Sequence, residues 1–188
     1  MKLPAVVPDR QDAVDALALA QAGDQSGFAE LIRRHQAMVF GLALHFLQNH
    51  AEAEDLAQDV FVALHQNLAR LESEAHVRFW LCTVTSRRCI DRTRRLSRRL
   101  ELIAGRVPDQ YVLPAADDPL LSAMLRRCVA ELPPPARLVV TLRFQEDLQL
   151  AEIAQILDMP VNTVKSHLRR SLDVLRAKLA ERGAVDEA

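Results

Sequence analysis

The stretch SRRCIDRTRRLSRR, residues 86–99, carries seven arginines (Arg87, Arg88, Arg92, Arg94, Arg95, Arg98 and Arg99) and one acid, Asp91. The formal net charge of the whole chain is only −1. Cations at this density repel one another. One or two bases would serve the negative end of a helix dipole, and seven exceed that need. The chemistry that fits is phosphate binding, where each neutralised phosphate releases counterions and offsets the repulsion. Asp91 stands at helical spacing from Arg87, Arg88, Arg94 and Arg95 and is expected to steady some of them.

A second set of donors lies near the C-terminus. In NTVKSHLRR, Val164 and Leu168 would anchor the inner side of a helix. Thr163, Lys165, Ser166, His167, Arg169 and Arg170 are left to the outer face and its flanks. Donor-rich side chains of this kind suit guanine acceptors and phosphates in a DNA major groove. From Val161 to Arg182 six bases stand against two acids. The opposite sign gathers earlier. From His35 to Ala69 there is no Lys or Arg, only Glu52, Glu54, Asp55 and Asp59. Acids so placed are poor neighbours for DNA, and they point to a basic protein partner. Segregation of this sort reports partners rather than fold.

Enzyme chemistry has little support. The chain has no GxSxG, P-loop, GxGxxG or HExxH, and no Glu followed by His three positions later. Cys82, Cys89 and Cys128 form no CxxC pair, so they read as buried thiols rather than as a disulfide or a zinc site. No cofactor, metal or small-molecule substrate is expected. His45, His50 and His65 read as surface or locally satisfied side chains, and Trp80 as a core residue on an apolar helix face. With no secretory segment and no long apolar run, a cytoplasmic location is expected.

The elements that must hold these residues are helices. Only five glycines occur and aromatics are 4%, while Ala, Leu, Arg, Glu and Gln dominate, which points to an all-α chain. A short helix is expected at 10–21, closed by AGDQSG. A second starts near Phe28 and runs through Leu31, Val39, Leu42 and Phe46, with Asn49 as its terminator. Leu56, Val60, Leu64 and Leu68, spaced by four, mark a third. After the polar turn ESEAH a fourth should run from about Val77 to Arg95. Residues 101–119 hold Pro108, Pro114 and Pro119 without a clean period, which makes them the best linker. Further helices are expected at 120–131 and from LPPPAR to Phe144. LQLAEIAQILDMPVNTVKSHLRRSLDVLRAKL then reads as a helix-turn-helix, with small Ala154 permitting a close crossing. The organisation is two small helical domains, 10–97 and 120–182, joined by a linker at 98–119.

The order HAEAEDLAQDVFVALHQNL, FWLCTVTSRRCIDRTRR, linker, LPPPARLVVTLRFQEDLQLAEIAQILDMPVNTVKSHLRRSLDVLR closely resembles the extracytoplasmic-function (ECF) sigma factors, small bacterial sigma factors with regions 2 and 4 alone. The resemblance covers about residues 24–180. It implies that the acidic helix around Glu54, Asp55, Gln58, Asp59 and Phe61 docks on the clamp helices of the largest core RNA polymerase subunit. It implies that the turn Leu71–His76, with Leu71, Ser73 and His76, captures a flipped base of the −10 promoter element. It lays Arg87, Arg88, Arg92, Arg94 and Arg95 along −10 DNA. Thr163, Lys165, Ser166, His167, Arg169 and Arg170 would read the −35 element. The implied partners are core RNA polymerase, promoter DNA and an anti-sigma factor.

Some positions depart from the family pattern. Arg87 stands where Asn is frequent, and His167 where Arg is frequent. Gln149 stands where Ser is frequent, so its helix is expected to begin without a hydroxyl cap. Asn162 replaces a common Gly and is expected to cap the recognition helix. The rival reading is a LuxR-type helix-turn-helix regulator, which VNTVKSHL also resembles. That family carries a sensor or receiver domain in front of the DNA-binding motif.

Overall fold

A computed structural model describes the backbone of residues 10–101 and 119–183, and the side chains of residues 16–93 and 124–180. Among the described residues there are eight α-helices, one 3-10 turn and no strand. The helices are α1 (Arg10–Gln21), α2 (Gln25–Leu47), α3 (His50–Asn67), α4 (Glu74–Glu101), α5 (Pro119–Ala130), α6 (Pro134–Phe144), α7 (Leu150–Leu157) and α8 (Val161–Gly183). The 3-10 turn, Leu68–Arg70, follows α3. The expected linker lies mostly outside the described residues. Helix α4 runs past the expected domain edge at residue 97.

The local signals that start and stop these helices are side-chain caps. Gly23, at φ +87°, makes the turn out of α1, and the Asp24 carboxylate accepts the Ser26 N–H at 2.8 Å to start α2. Asn49 does not terminate α2, as the sequence suggested. Gln48 does, in the left-handed region at φ 56°, with its N–H on the Leu44 carbonyl. Asn49 instead begins α3, its Oδ1 accepting the Glu52 N–H at 3.1 Å. The short Asn amide reaches an N–H in the next turn, which is the geometry of an N-cap. Ser73 does the same for α4, its Oγ accepting the His76 N–H at 3.2 Å. Most of ESEAH is therefore helix rather than turn. Pro134 opens α6 at a first-turn position where its missing N–H costs nothing.

The front half packs α1, α3 and α4 around α2. Leu31, Val39 and Leu42 of α2 meet Leu56, Val60 and Leu64 of α3 and Val77 and Leu81 of α4, all buried. Each fully buried Leu here contributes about 1.5–3 kcal/mol. Gly27 lets α1 and α2 touch: a Cβ there would stand 2.6 Å from the Ala20 backbone nitrogen. Cys82 and Cys89, seven apart, share the buried side of α4, and burial pushes each thiol up to about 12. Trp80 is half-buried and packs against this core.

In the rear half, α6, α7 and α8 pack together through Leu138, Leu142, Ile153, Ile156 and Val164, with Ala154 buried on α7. The structure also shows a relationship that periodicity does not carry. Helices α2 and α6 touch, as do α4 and α7. One buried cluster runs from Leu31 and Leu81 through to Leu138, Leu142 and Ile153. The two expected domains lie packed side by side.

Candidate nucleic-acid and protein interfaces

Helix α3 presents three different faces, because successive residues turn by about 100°. Ala53, Leu56, Val60 and Leu64 face the core. Glu54, Gln58 and Phe61, three of the expected polymerase-binding residues, line a groove of about 950 Å³ between α3 and α2. Phe28, Ile32 and Phe40 of α2 form its other wall and are only partly buried. The helical period that marks α2 includes Phe28, but it does not show that Phe28 faces a groove. The available signal was the width of the apolar stripe, broader than a single contact needs. His65 and Phe28 meet edge to face across the groove at 5.0 Å. His50 sits 3.4 Å from Glu54 and edge-on to Phe40.

The remaining acids turn away from the groove. Asp55 is exposed. Glu52 and Asp59 face α4, where Arg92 holds the Glu52 carboxylate at 2.7 Å and Asp59 at 3.3 Å. Arg92 also donates to the Glu52 carbonyl at 3.0 Å. Arg88 stands 3.7 Å from Asp59. Two arginines of the basic run thus answer two acids of the neighbouring helix, a pairing hidden from any scan of charge along the chain. Asp91 and Arg87 are exposed. The side chains of Arg94, Arg95, Arg98 and Arg99 lie outside the described residues.

Between α3 and α4, the segment from Leu71 to His76 is held from several directions. Leu71 is buried. Gln21, the last residue of α1, donates through Nε2 to the carbonyls of Leu68 at 2.8 Å and Leu71 at 2.7 Å. Glu74 pairs with buried His35 of α2 at 2.6 Å. Ser73 caps α4, and the Glu72 N–H points at His76 Nδ1, 3.4 Å away. Glu72, Ser73 and Ala75 remain exposed. Neither Gln21 nor His35 was singled out by sequence, since both contacts join residues far apart in the chain.

The rear half carries the helix-turn-helix as expected. Asp158, at φ 51°, ends α7. The Pro160 carbonyl accepts the N–H groups of Thr163 at 2.8 Å and Val164 at 3.2 Å. Asn162 is therefore not the cap. It lies inside the first turn of α8, and its carbonyl accepts the Ser166 hydroxyl at 2.9 Å. At α7, Glu152 Oε2 accepts the Gln149 N–H at 2.7 Å, which satisfies the helix start without a hydroxyl cap. Val164 is buried, Lys165, Ser166, Arg169 and Arg170 are exposed, and Thr163 and His167 sit half-buried at the flanks. The donors named from sequence share one outer surface.

Where the halves meet, polar contacts cross the seam. Arg137 of α6 donates to the Phe46 carbonyl of α2 at 2.9 Å, to Leu132 O at 3.1 Å and to Ala130 O. Arg78 of α4 reaches the Glu146 carboxylate at 3.3 Å and its carbonyl. His45 Nε2 meets the Gln145 amide at 2.7 Å. Burial, with Arg126 and Arg137 nearby, holds the His45 imidazole below its ordinary range.

Among the described residues, no three His, Cys, Asp or Glu side chains gather as a metal site would need. No described helix is long and apolar enough to cross a membrane. What the described surface offers is a set of exposed cations on α8, the exposed Arg87 on α4 and a groove edged by Glu54. That is the class of a two-part helical DNA-binding protein with a further protein partner.

Known proteins agree with this class and narrow it. Residues 31–99 match the family model of Sigma-70 region 2, and residues 122–175 that of Sigma-70, region 4. The ECF RNA polymerase sigma factor RpoE of Cereibacter sphaeroides is 31% identical over 181 residues, covering 92% of this chain and 99% of that protein. The ECF RNA polymerase sigma factor SigW of Bacillus subtilis is 28% identical over 176 residues, covering 85% and 92%. The fold is similar to sigma factor RpoE from Bartonella quintana, solved in complex with the anti-sigma factor NepR. There the TM-score is 0.71 at 21% identity, over 81% of this chain and 96% of that one. The chain belongs to the ECF sigma factor family, whose members bind core RNA polymerase and promoter DNA to start transcription. The LuxR-type reading is not favoured, because the front half matches region 2 rather than a sensor or receiver domain.

Proposed function

We propose that residues 10–97 act as region 2, residues 98–119 as linker and residues 120–182 as region 4 of a promoter-selecting sigma factor. The groove between α2 and α3 takes an amphipathic helix of core RNA polymerase, with Phe61 and Phe28 as apolar anchors and Glu54 and Gln58 at the rim, while Asp55 meets the same partner from the exposed side of α3. Helix-in-groove docking uses this combination of an apolar floor and charged edges. The loop Leu71–His76 takes a base of the −10 element, with Arg87 and Arg88 on the adjoining phosphates. The outer surface of α8 reads the −35 element through Lys165, Ser166, Arg169 and Arg170. An anti-sigma factor holds the chain inactive, and the chain works in the cytoplasm, catalysing no reaction of its own.

The observation that carries this reading is the separation of chemistry on one small domain. Glu54, Gln58 and Phe61 line the groove, while the basic run sits on α4. Run-off transcription with core polymerase tests it: the chain should direct initiation from a discrete set of start sites, and core alone should not. In the same assay Arg169→Ala or Arg170→Ala should cost about 1–3 kcal/mol of −35 binding and relax one base, if that arginine contacts a guanine. Equal weakening on every sequence assigns it to phosphate instead.

A further inference from the structure

The basic run and the groove account for phosphate and polymerase, but not for how the loop between α3 and α4 keeps its shape. Exposed loops that capture a ligand pay an ordering cost at the moment of binding unless something fixes them beforehand. Here the ends of the segment are tied to two other helices. At one end the Gln21 amide uses both of its N–H groups, on the carbonyls of Leu68 and Leu71. The Leu68 carbonyl also accepts the Leu71 N–H at 3.1 Å, so the 3-10 turn and the Gln21 contact reinforce each other. Helix α1 is itself immobilised, with Ala16, Leu17 and Ala20 buried against the core and Gly27 allowing the close approach of α2. At the other end the Glu74 carboxylate lies 2.6 Å from Nε2 of buried His35. Between the two anchors, Glu72 and Ser73 stand exposed.

We propose that Gln21 is a positioning residue for base capture, holding the carbonyls of Leu68 and Leu71 so that the following loop is shaped before DNA arrives. The inference rests on the reading of Leu71–His76 as the −10 base-capturing loop. It gives α1 a function beyond packing. The two N–H groups of a terminal amide match two carbonyl acceptors, whereas a carboxylate of the same size offers none. The Gln21→Glu variant therefore removes both hydrogen bonds and sets oxygen against oxygen. Gln21 is exposed apart from these contacts, so the substitution opens no cavity and the helical core stays intact.

The test uses the full chain assembled with core RNA polymerase, on the promoter that run-off transcription maps for it. 2-Aminopurine is walked through the non-template strand of the −10 element, and its fluorescence rises where a base leaves the stack. With the parent protein, one position should brighten. With Gln21→Glu the holoenzyme concentration needed for half-maximal brightening should rise about tenfold, the scale set by losing two net hydrogen bonds. Core affinity and binding to a −35 duplex should stay within a factor of two. Unchanged brightening in the variant overturns the inference, as does an equal loss of core affinity and −35 binding, which would mark a merely structural role. If the parent brightens no position, the loop reading itself fails, and the role of Gln21 falls with it.

Discussion

Arg92 on α4 and Asp59 on α3 face each other with Nη2 and Oδ2 3.3 Å apart, and Arg92 Nη1 reaches Glu52 at 2.7 Å. Along the sequence these groups belong to opposite charge blocks, one acidic and one basic. In space they close the seam between two helices of region 2. The acidic stretch therefore divides. Glu54 faces the groove, Asp55 is free at the surface, and Glu52 and Asp59 are answered from within the molecule.

That division separates two substitutions that sequence alone treats as equivalent. Asp55→Lys should weaken co-purification with core RNA polymerase and leave the melting temperature unchanged. Asp59→Lys places a new cation beside Arg88 and Arg92. It should lower stability by up to about 1 kcal/mol, the usual scale for partly exposed pairs. Thermal melts and core-binding titrations on the two variants check this. Normal core binding by Asp55→Lys would reduce Asp55 to a solvated position on α3.

The arginines divide in the same way. Arg87 is exposed, whereas Arg92 is committed to two carboxylates and a carbonyl. Arg87→Ala should flatten the salt dependence of promoter binding by about one unit of slope if it neutralises one phosphate. Arg92→Ala should alter the slope less and the stability of the α3–α4 pair more. Salt titrations of holoenzyme on a −10 duplex, set beside denaturant unfolding, distinguish the two. Equal slopes for both variants would mean that Arg92 lets go of Glu52 and Asp59 to hold DNA.

Much of this architecture is legible in the sequence because it is local. Leu56, Val60 and Leu64 announce α3 by spacing, and Val164 and Leu168 announce the inner side of α8. Caps are half legible: Asn49 marks a boundary, but only geometry shows that it starts α3 rather than ending α2. Contacts between distant residues leave no periodic trace. Gln21 on Leu71, His35 on Glu74 and Arg137 on Phe46 each join segments that no local pattern relates. The close packing of the two halves is of the same kind. Ile153 reads as part of one apolar stripe of region 4, although with Leu138 and Leu142 it also joins the cluster that contains Leu31 and Leu81.

Acidity should loosen that packing through His45. Its imidazole lies among Arg126 of α5, Arg137 of α6 and Gln145, and burial with these two cations disfavours the protonated form. Released into water, the same group titrates near its ordinary 6.5. The separated state therefore binds more protons below that pH. Stability of the packed state is complete above about pH 6.5 and declines as pH falls below it. Fluorescence energy transfer between labels on α3 and α8 should show the halves separating more readily at pH 5.5 than at pH 7.5. His45→Gln should remove most of that dependence, and an identical profile in the variant would place the titrating group elsewhere.

Engagement with a promoter should require the same separation. The −10 and −35 elements lie about 25 base pairs apart, which at about 3.4 Å per pair is about 85 Å. A compact chain of 188 residues has a radius of gyration of about 16 Å and so a diameter of about 40 Å. With α2 against α6 and α4 against α7, the two regions cannot both reach the elements proposed for them. Promoter binding must therefore oppose the energy of the seam, and Arg137 is one of its polar contributors through the Phe46 carbonyl. Its guanidinium, on α6, joins the Phe46 carbonyl of α2 to the carbonyls of Ala130 and Leu132 at the end of α5 and in the turn after it. Arg137→Ala strands those carbonyls at a cost of about 1–3 kcal/mol, some of it within region 4 and some across the seam. Only the second part biases opening. The variant should therefore show lower energy transfer between the halves when free, and faster formation of the promoter complex with core polymerase. If Arg137→Ala lowers stability but leaves both the free-state distance and the rate of complex formation unchanged, Arg137 serves region 4 alone, and the seam is held by Arg78–Glu146 and the apolar cluster instead.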